Sequence, residues 1–191
     1  MFARTPRLLL RPGWMEDAPA LAEAIGDTAI LRNLTQVPAP YSLDEAREFL
    51  AQPQDPCMPN LIAFTRTHGA PRLIGACGIK RAEDGVPELG YWIARPYWGL
   101  GFATEAARAV LSMARAATVH DIRAAHFADN PASGNVLRKL GFHFSGRVEQ
   151  RYSPARGTTA DCLVFEEGAA CRMLNDPACL LYSDAMAALA A

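Results

Sequence analysis

The 191-residue chain has almost no net charge, -1 at neutral pH, so no overall field draws it toward nucleic acid or an anionic membrane. It has no apolar run near the roughly 18 residues that a membrane span needs. Leu8, Leu9 and Leu10 are followed at once by Arg11 and Pro12, so no signal-peptide core is expected. Five cysteines, Cys57, Cys77, Cys162, Cys171 and Cys179, form an odd set without a CxxC pair. That spacing argues against a disulfide framework and a zinc site, and for free thiols in a reducing compartment, the cytoplasm. The histidines, His68, His120, His126 and His143, lack metal-ligand spacing, so no metal is expected. Neither a Walker A sequence nor a G-x-S-x-G elbow occurs, which removes the P-loop NTPases and the α/β-hydrolases.

What is present is the composition of one globular domain: half the residues are hydrophobic and a fifth are charged. Apolar residues 7–11, between Pro6 and Pro12-Gly13, suit a buried strand. Ala18, Leu21, Ala22 and Ile25 after Asp17 give a helix that Gly26 ends. Ser42 to Glu45 has the form of a capping box opening a helix that Pro53 limits. Residues 61–65, 73–79 and 89–93 read as an antiparallel meander, its first turn at His68 to Pro71. Ala107, Val110, Leu111 and Ala114 mark an amphipathic helix from Thr104. A strand over 122–127, a short helix from Asn130 to Leu140 closed by Gly141, and a hairpin of 142–150 with 160–166 follow. The expected class is α+β, with a mixed, mostly antiparallel sheet over residues 1–168. The alanine-rich stretch 169–191 predicts a further helix packed on the same domain.

The segment Glu88 to Ala106 carries the chemistry. A strand runs into a loop with Gly99 and Gly101, and the loop opens a helix. Such glycines let successive N–H groups converge on an anion, and the helix N-terminus adds its free N–H groups and dipole. A pyrophosphate-bearing ligand follows. The dinucleotide fingerprint fits poorly, because Thr104 stands at its third glycine position and no opening βαβ unit precedes the loop.

Four pieces in order, Thr5 to Pro12, Leu73-Ile-Gly75, Glu88 to Ala106 and Asn130 to Phe142, resemble the GNAT superfamily of N-acetyltransferases. The branch they resemble is the RimJ/RimL-like ribosomal-protein-alanine acetyltransferases. The likeness implies an acetyl-CoA cosubstrate and an amine acceptor, either a protein N-terminus or a small molecule, and a monomer or homodimer. The family's loop pattern, Gln or Arg, two residues, Gly, one residue, then Gly or Ala, lands on Trp98-Gly99-Leu100-Gly101-Phe102-Ala103. Trp98 departs from the Gln or Arg position, so backbone amides of residues 99–104, with the Thr104 hydroxyl, would supply most of the phosphate binding. The likeness also implies a pantetheine gap between the strands ending near Ile93 and Phe127, an oxyanion donor at a backbone N–H near Ile93, and cofactor contacts that include Trp92. Asn130 and Ser133 match the family's Asn-x-x-Ser, near the pantetheine and the sulfur, and both are equally good helix caps. Lys139 and Arg138 could reach the 3′-phosphate or form a solvated helix face.

Amine acetylation needs a bound thioester, a neutral amine and a stabilised oxyanion. Glu88 shares a strand face with Gly90 and Trp92 and is the candidate base. A carboxylate does that work only if burial raises its pKa or a water relays the proton; otherwise Glu88 is a solvated strand-end charge. Ser133 is better cast as a hydrogen-bond donor to the departing sulfur than as an acid, because a serine hydroxyl holds its proton tightly. The first helices and the Asn33 to Ser42 loop, with Arg32, Gln36 and Tyr41, are expected to hold the acceptor, and those side chains do not spell out a ligand. A non-catalytic acyl-CoA-binding module is the alternative reading.

Overall fold

The computed structural model describes residues 1–67 and 69–168. The expected tail helix, with Cys171 and Cys179, and the turn residue His68 lie outside the described residues. Strands β1 (Ala3–Arg4), β2 (Leu8–Arg11), β3 (Asn60–Thr65), β4 (Leu73–Arg81) and β5 (Pro87–Ile93) run antiparallel in sequence order. Strands β6 (Arg123–Phe127), β7 (Phe142–Ser153) and β8 (Thr158–Glu167) complete one eight-stranded sheet, with β8 between β6 and β7. Among the described residues the parallel pairing is confined to β5 and β6, through two bridges, Glu88 with Arg123 and Leu89 with Ala124. The sheet is therefore mixed and mostly antiparallel, as expected.

Helices α1 (Ala18–Ile25), α2 (Thr28–Leu31), α3 (Leu43–Ala51), α4 (Phe102–Ala116) and α5 (Pro131–Lys139) cover its two faces. On α4, Ala106, Ala107, Val110, Leu111 and Ala114 are wholly buried, an apolar stripe at helical spacing. They pack with Leu8, Leu61, Ile74, Leu89 and Leu137 into the main core. The opposite face of the sheet is covered by α1 and α3, where Leu21 and Ala46 meet Ile62 and Phe64. Burying one such large aliphatic side chain contributes about 1.5–3 kcal/mol, which is how a two-faced sheet holds helices on both sides. The Ser42 capping box forms: Ser42 Oγ accepts from the Glu45 N–H at 3.3 Å, and the Glu45 carboxylate accepts from the Ser42 N–H.

Among the elements that differ from the sequence reading, three do so for a local reason. Helix α2 has four residues, too few to show a period, and exists because the Asp27 carboxylate accepts from the Ala29 N–H at 2.8 Å. Helix α4 begins at Phe102 rather than Thr104, since Gly101 at φ 83° turns the chain directly into its first turn. The final hairpin extends to Ser153 and from Thr158. Its added residues on β7, Arg151, Tyr152 and Ser153, have no apolar alternation, so no period marks them.

Candidate active site

Strands β5 and β6 pair only as far as Leu89 and Ala124, then diverge. A cavity of about 470 Å3 fills the divergence, lined by Leu89 to Ile93 of β5 and Ala125 to Phe127 of β6. Bonded and non-bonded pairs alternate along an antiparallel ladder. The Ala94 N–H donates to Ile74 O at 2.7 Å, and the register continues Ala76 with Trp92 and Gly78 with Gly90. The amides of Tyr91 and Ile93 therefore turn away from β4, toward the gap. Side chains alternate too: Leu89, Tyr91 and Ile93 join the α4 and α5 core, whereas Trp92 packs with the clusters under α1, α2 and α3. Trp92 thus lines the cavity from the face opposite the glycine loop, a consequence of the two-residue period.

The loop sits at the mouth of the gap. Gly99 and Gly101 have φ of 74° and 83°, left-handed values that a Cβ disfavours. Gly101 is the N-cap of α4 and has no side chain to cap it, so the N–H groups of Phe102, Ala103 and Thr104 have no intrahelical acceptor. Gly99, Gly101, Phe102, Ala103 and Thr104 line the cavity with Trp98. Leu100 does not: the residue is 55% exposed, and its carbonyl accepts from Arg7 Nη1 at 2.9 Å. Trp98 places its indole N–H on the Ile93 carbonyl at 2.6 Å, which ties the loop to the strand end and directs its one donor away from any phosphate. Arg7 completes the frame. Its Nε meets Glu105 at 2.7 Å in the first turn of α4, and its guanidinium lies 4.3 Å from the Phe102 ring centroid.

Glu88 is neither a desolvated base nor a solvated charge. Its carboxylate accepts from Arg151 Nη1 at 2.6 Å, Arg151 Nη2 at 2.9 Å and Arg123 Nε at 3.0 Å. Arg123 also donates to Asp84 at 2.5 Å, and Arg151 donates to Glu149 from two nitrogens. Burial alone would raise the Glu88 carboxyl, yet hydrogen bonds from Arg151 and Arg123 outweigh it and hold the pKa below the ordinary value. The raised pKa set as the condition for direct base chemistry is therefore not met. Sequence spacing missed both arginines because they come from strands 35 and 63 residues away. Lys80 and Gln36 meet at the cavity wall, joining β4 to the segment after α2.

On the other side of the gap, Asn130 caps α5 by accepting from the Ser133 N–H at 3.4 Å. Ser133 is no cap: its Oγ lies 2.8 Å from the Tyr91 phenol oxygen, and both residues line the cavity. Lys139 lines it as well, while Arg138 is engaged with Asn135 at 2.8 Å. His126, given no role by its spacing, is a buried wall residue. Its Nδ1 contacts Phe127 O at 2.8 Å, and its Nε2 packs against Gly134, where a Cβ would stand 2.6 Å away. Cys77 and Cys162 are buried, and burial pushes the Cys162 thiol up to about 11. Cys57 is exposed. Among the described residues, no group of His, Cys, Asp and Glu could hold a metal ion, and no helix is long and apolar enough to cross a membrane.

A family model described as an acetyltransferase (GNAT) domain matches residues 7–143. An uncharacterized N-acetyltransferase of Bacillus licheniformis is 27% identical over 169 residues, covering 84% of this chain and 92% of that protein. Two solved structures share the fold. A ribosomal-protein-alanine acetyltransferase from Vibrio fischeri superposes with TM-score 0.72 at 18% identity, over 87% of this chain and 96% of its own. Mycobacterium smegmatis RimJ, solved with a coenzyme A disulfide, gives TM-score 0.68 at 23% identity, over 85% and 82%. With its glycine loop at the mouth of the gap between β5 and β6, the chain is an acyltransferase that belongs to the GNAT acetyltransferase family.

Proposed function

We propose that the chain moves the acetyl group of acetyl-CoA to a primary amine by direct attack on the thioester, in the manner of the RimJ/RimL-like branch. The observation that carries this reading is the divergence of β5 and β6 beyond Leu89, with a glycine cradle at its mouth and a cavity open toward both sheet faces. The cradle amides of residues 99–104 take the pyrophosphate, and Lys139 is within reach of the adenosine phosphate. The acyl arm occupies the gap. There the Ile93 N–H serves as the oxyanion donor when the amine nitrogen attacks the carbonyl carbon. The C–N bond forms, the C–S bond breaks with its electron pair left on sulfur, and the amine proton passes to water.

Glu88, firmly ionised, acts here as an anchor that keeps Arg123 and Arg151 in place. A proton reaches it only through water. Trp92, Gln36 and Lys80 form the acceptor side. The likeness to a ribosomal-protein-alanine acetyltransferase favours the α-amine of a protein as acceptor, against a small amine. The test is a turnover screen with acetyl-CoA against N-terminal peptides, amino acids, polyamines and aminoglycosides. Acetylated peptide and stoichiometric free thiol are expected. Acetyl-CoA binding without turnover against every amine would replace this reading with the non-catalytic module.

A further inference from the structure

The Tyr91 phenol oxygen lies 2.8 Å from Ser133 Oγ and 3.0 Å from the Ser133 carbonyl oxygen. A phenol has one proton and a carbonyl has none, so the three atoms admit two arrangements. In the first, Tyr91 donates to the carbonyl; the Ser133 hydroxyl must then donate to Tyr91, and its proton is turned away from the cavity. In the second, Tyr91 donates to Ser133 Oγ, and the Ser133 proton is free to enter the cavity. The carbonyl does not require Tyr91, because Ser133 lies in the first turn of α5 and its C=O is placed to accept from the Leu137 N–H. Burial pushes the Tyr91 phenol well above its ordinary pKa, so it remains a donor.

We propose that Tyr91 is a positioning residue that directs the Ser133 proton onto the leaving sulfur. This rests on the acetyl-transfer reading. As the C–S bond breaks and its electron pair moves to sulfur, the developing anion draws the Ser133 O–H, and Tyr91 swings from the carbonyl to Oγ. Each hydrogen bond in such a chain polarises the next. Ser133 keeps its proton throughout; the thiolate leaves as an anion with a hydrogen bond and takes a proton later from solvent. Tyr91 acts through Ser133 and not on the reacting atoms. The Ile93 N–H, which turns toward the gap, and the Tyr91 side chain both belong to β5, so both developing charges are answered from one strand.

The test combines Tyr91→Phe, Ser133→Ala and the double variant, with coenzyme A affinity measured on each by calorimetry. Ser133→Ala is expected to lower kcat about ten- to a hundredfold, the worth of a hydrogen bond to a charged group, and Tyr91→Phe about three- to tenfold. The KM for acetyl-CoA should stay within about twofold in Tyr91→Phe. If Tyr91 acts only through Ser133, the double variant is no slower than Ser133→Ala alone, whereas a general packing role would multiply the losses. The thiolate ultraviolet absorbance of bound coenzyme A gives a second readout. Its thiol pKa should rise in Tyr91→Phe and be insensitive to Tyr91 once Ser133→Ala is present. Multiplying losses, or a thiol pKa indifferent to Tyr91, overturns the proposal. Should Tyr91→Phe fail to fold, a ring-fluorinated tyrosine at position 91 keeps the shape and strengthens the donor. It should lower the bound thiol pKa, and no shift counts equally against the proposal. Loss of turnover against all amines in the parent protein would instead sink the acetyl-transfer reading itself, a result the thiol titration does not depend on.

Discussion

Glu88 joins three guanidinium hydrogen bonds in one carboxylate whose side chain is only 14% exposed. Losing hydrogen bonds to a charged group costs about 1.5–3 kcal/mol, and Arg123 and Arg151 keep Asp84 and Glu149 as partners when Glu88 is neutralised. Glu88→Gln is therefore expected to destabilise the fold by about that amount in urea unfolding at neutral pH. The sign with pH follows from a folded pKa held below the ordinary carboxyl value of 4.5. The Glu88 contribution is complete above that value and is lost as pH falls through the lower folded one, so parent and variant should converge in acid. His126 behaves differently. Burial disfavours its charged form and lowers its pKa from 6.5, so its neutral form is the folded one. Its contribution is present above the unfolded value and declines as pH falls below it, where the unfolded chain takes up the extra proton. An NMR titration should find His126 protonating at lower pH than a free histidine.

At the scale of elements, the cradle is a joint between β2, the glycine loop and α4. Arg7 on the approach to β2 holds the Leu100 carbonyl and Glu105 together, and the Thr5 hydroxyl donates to Glu105 at 2.5 Å. Because the Arg7 side chain is 40% exposed, its ion pair adds little to global stability. Its effect is local order. Arg7→Ala is expected to raise the KM for acetyl-CoA several-fold with kcat nearly unchanged, and to speed amide hydrogen exchange across residues 99–105. Gly101→Ala acts through the backbone instead. At φ 83° a Cβ costs about 1–2 kcal/mol, and relief of that strain would rotate the amides that form the cradle. Calorimetry should show weaker coenzyme A binding, with the α4 core intact.

Over the whole molecule, segments far apart in sequence are clamped together beside the cluster that holds Trp92, on the side of the sheet proposed for the acceptor. Asp129, after β6, accepts from Arg156 Nη1 at 2.9 Å and Nη2 at 2.8 Å, and from Arg32 Nη2 at 3.0 Å. Arg156 Nε also donates to the Arg32 carbonyl at 2.6 Å, which joins the β7–β8 hairpin to the end of α2. Asp129→Asn is expected to raise the KM for the acceptor amine several-fold while leaving the KM for acetyl-CoA in place, because the cradle is on the other side of the sheet. Equal changes in both constants would show that the two sides are not independent.

The sequence by itself determined what is local. The stripe from Ala107 to Ala114, the Ser42 capping box, the Gly99 and Gly101 loop and the meander from β3 to β5 all follow from periodicity and from side chains within one turn of one another. Tertiary structure decided the rest. It matched Tyr91 and Glu88, already on opposite faces by their spacing, with partners on strands and helices 35 to 63 residues away. It also opened the gap past Leu89. Glu88 shows the physical reason most directly: a carboxylate near the end of a strand reads the same whether water or two arginines surround it. The spacing along one strand fixes only its direction, and the field it meets there is made by β6 and β7.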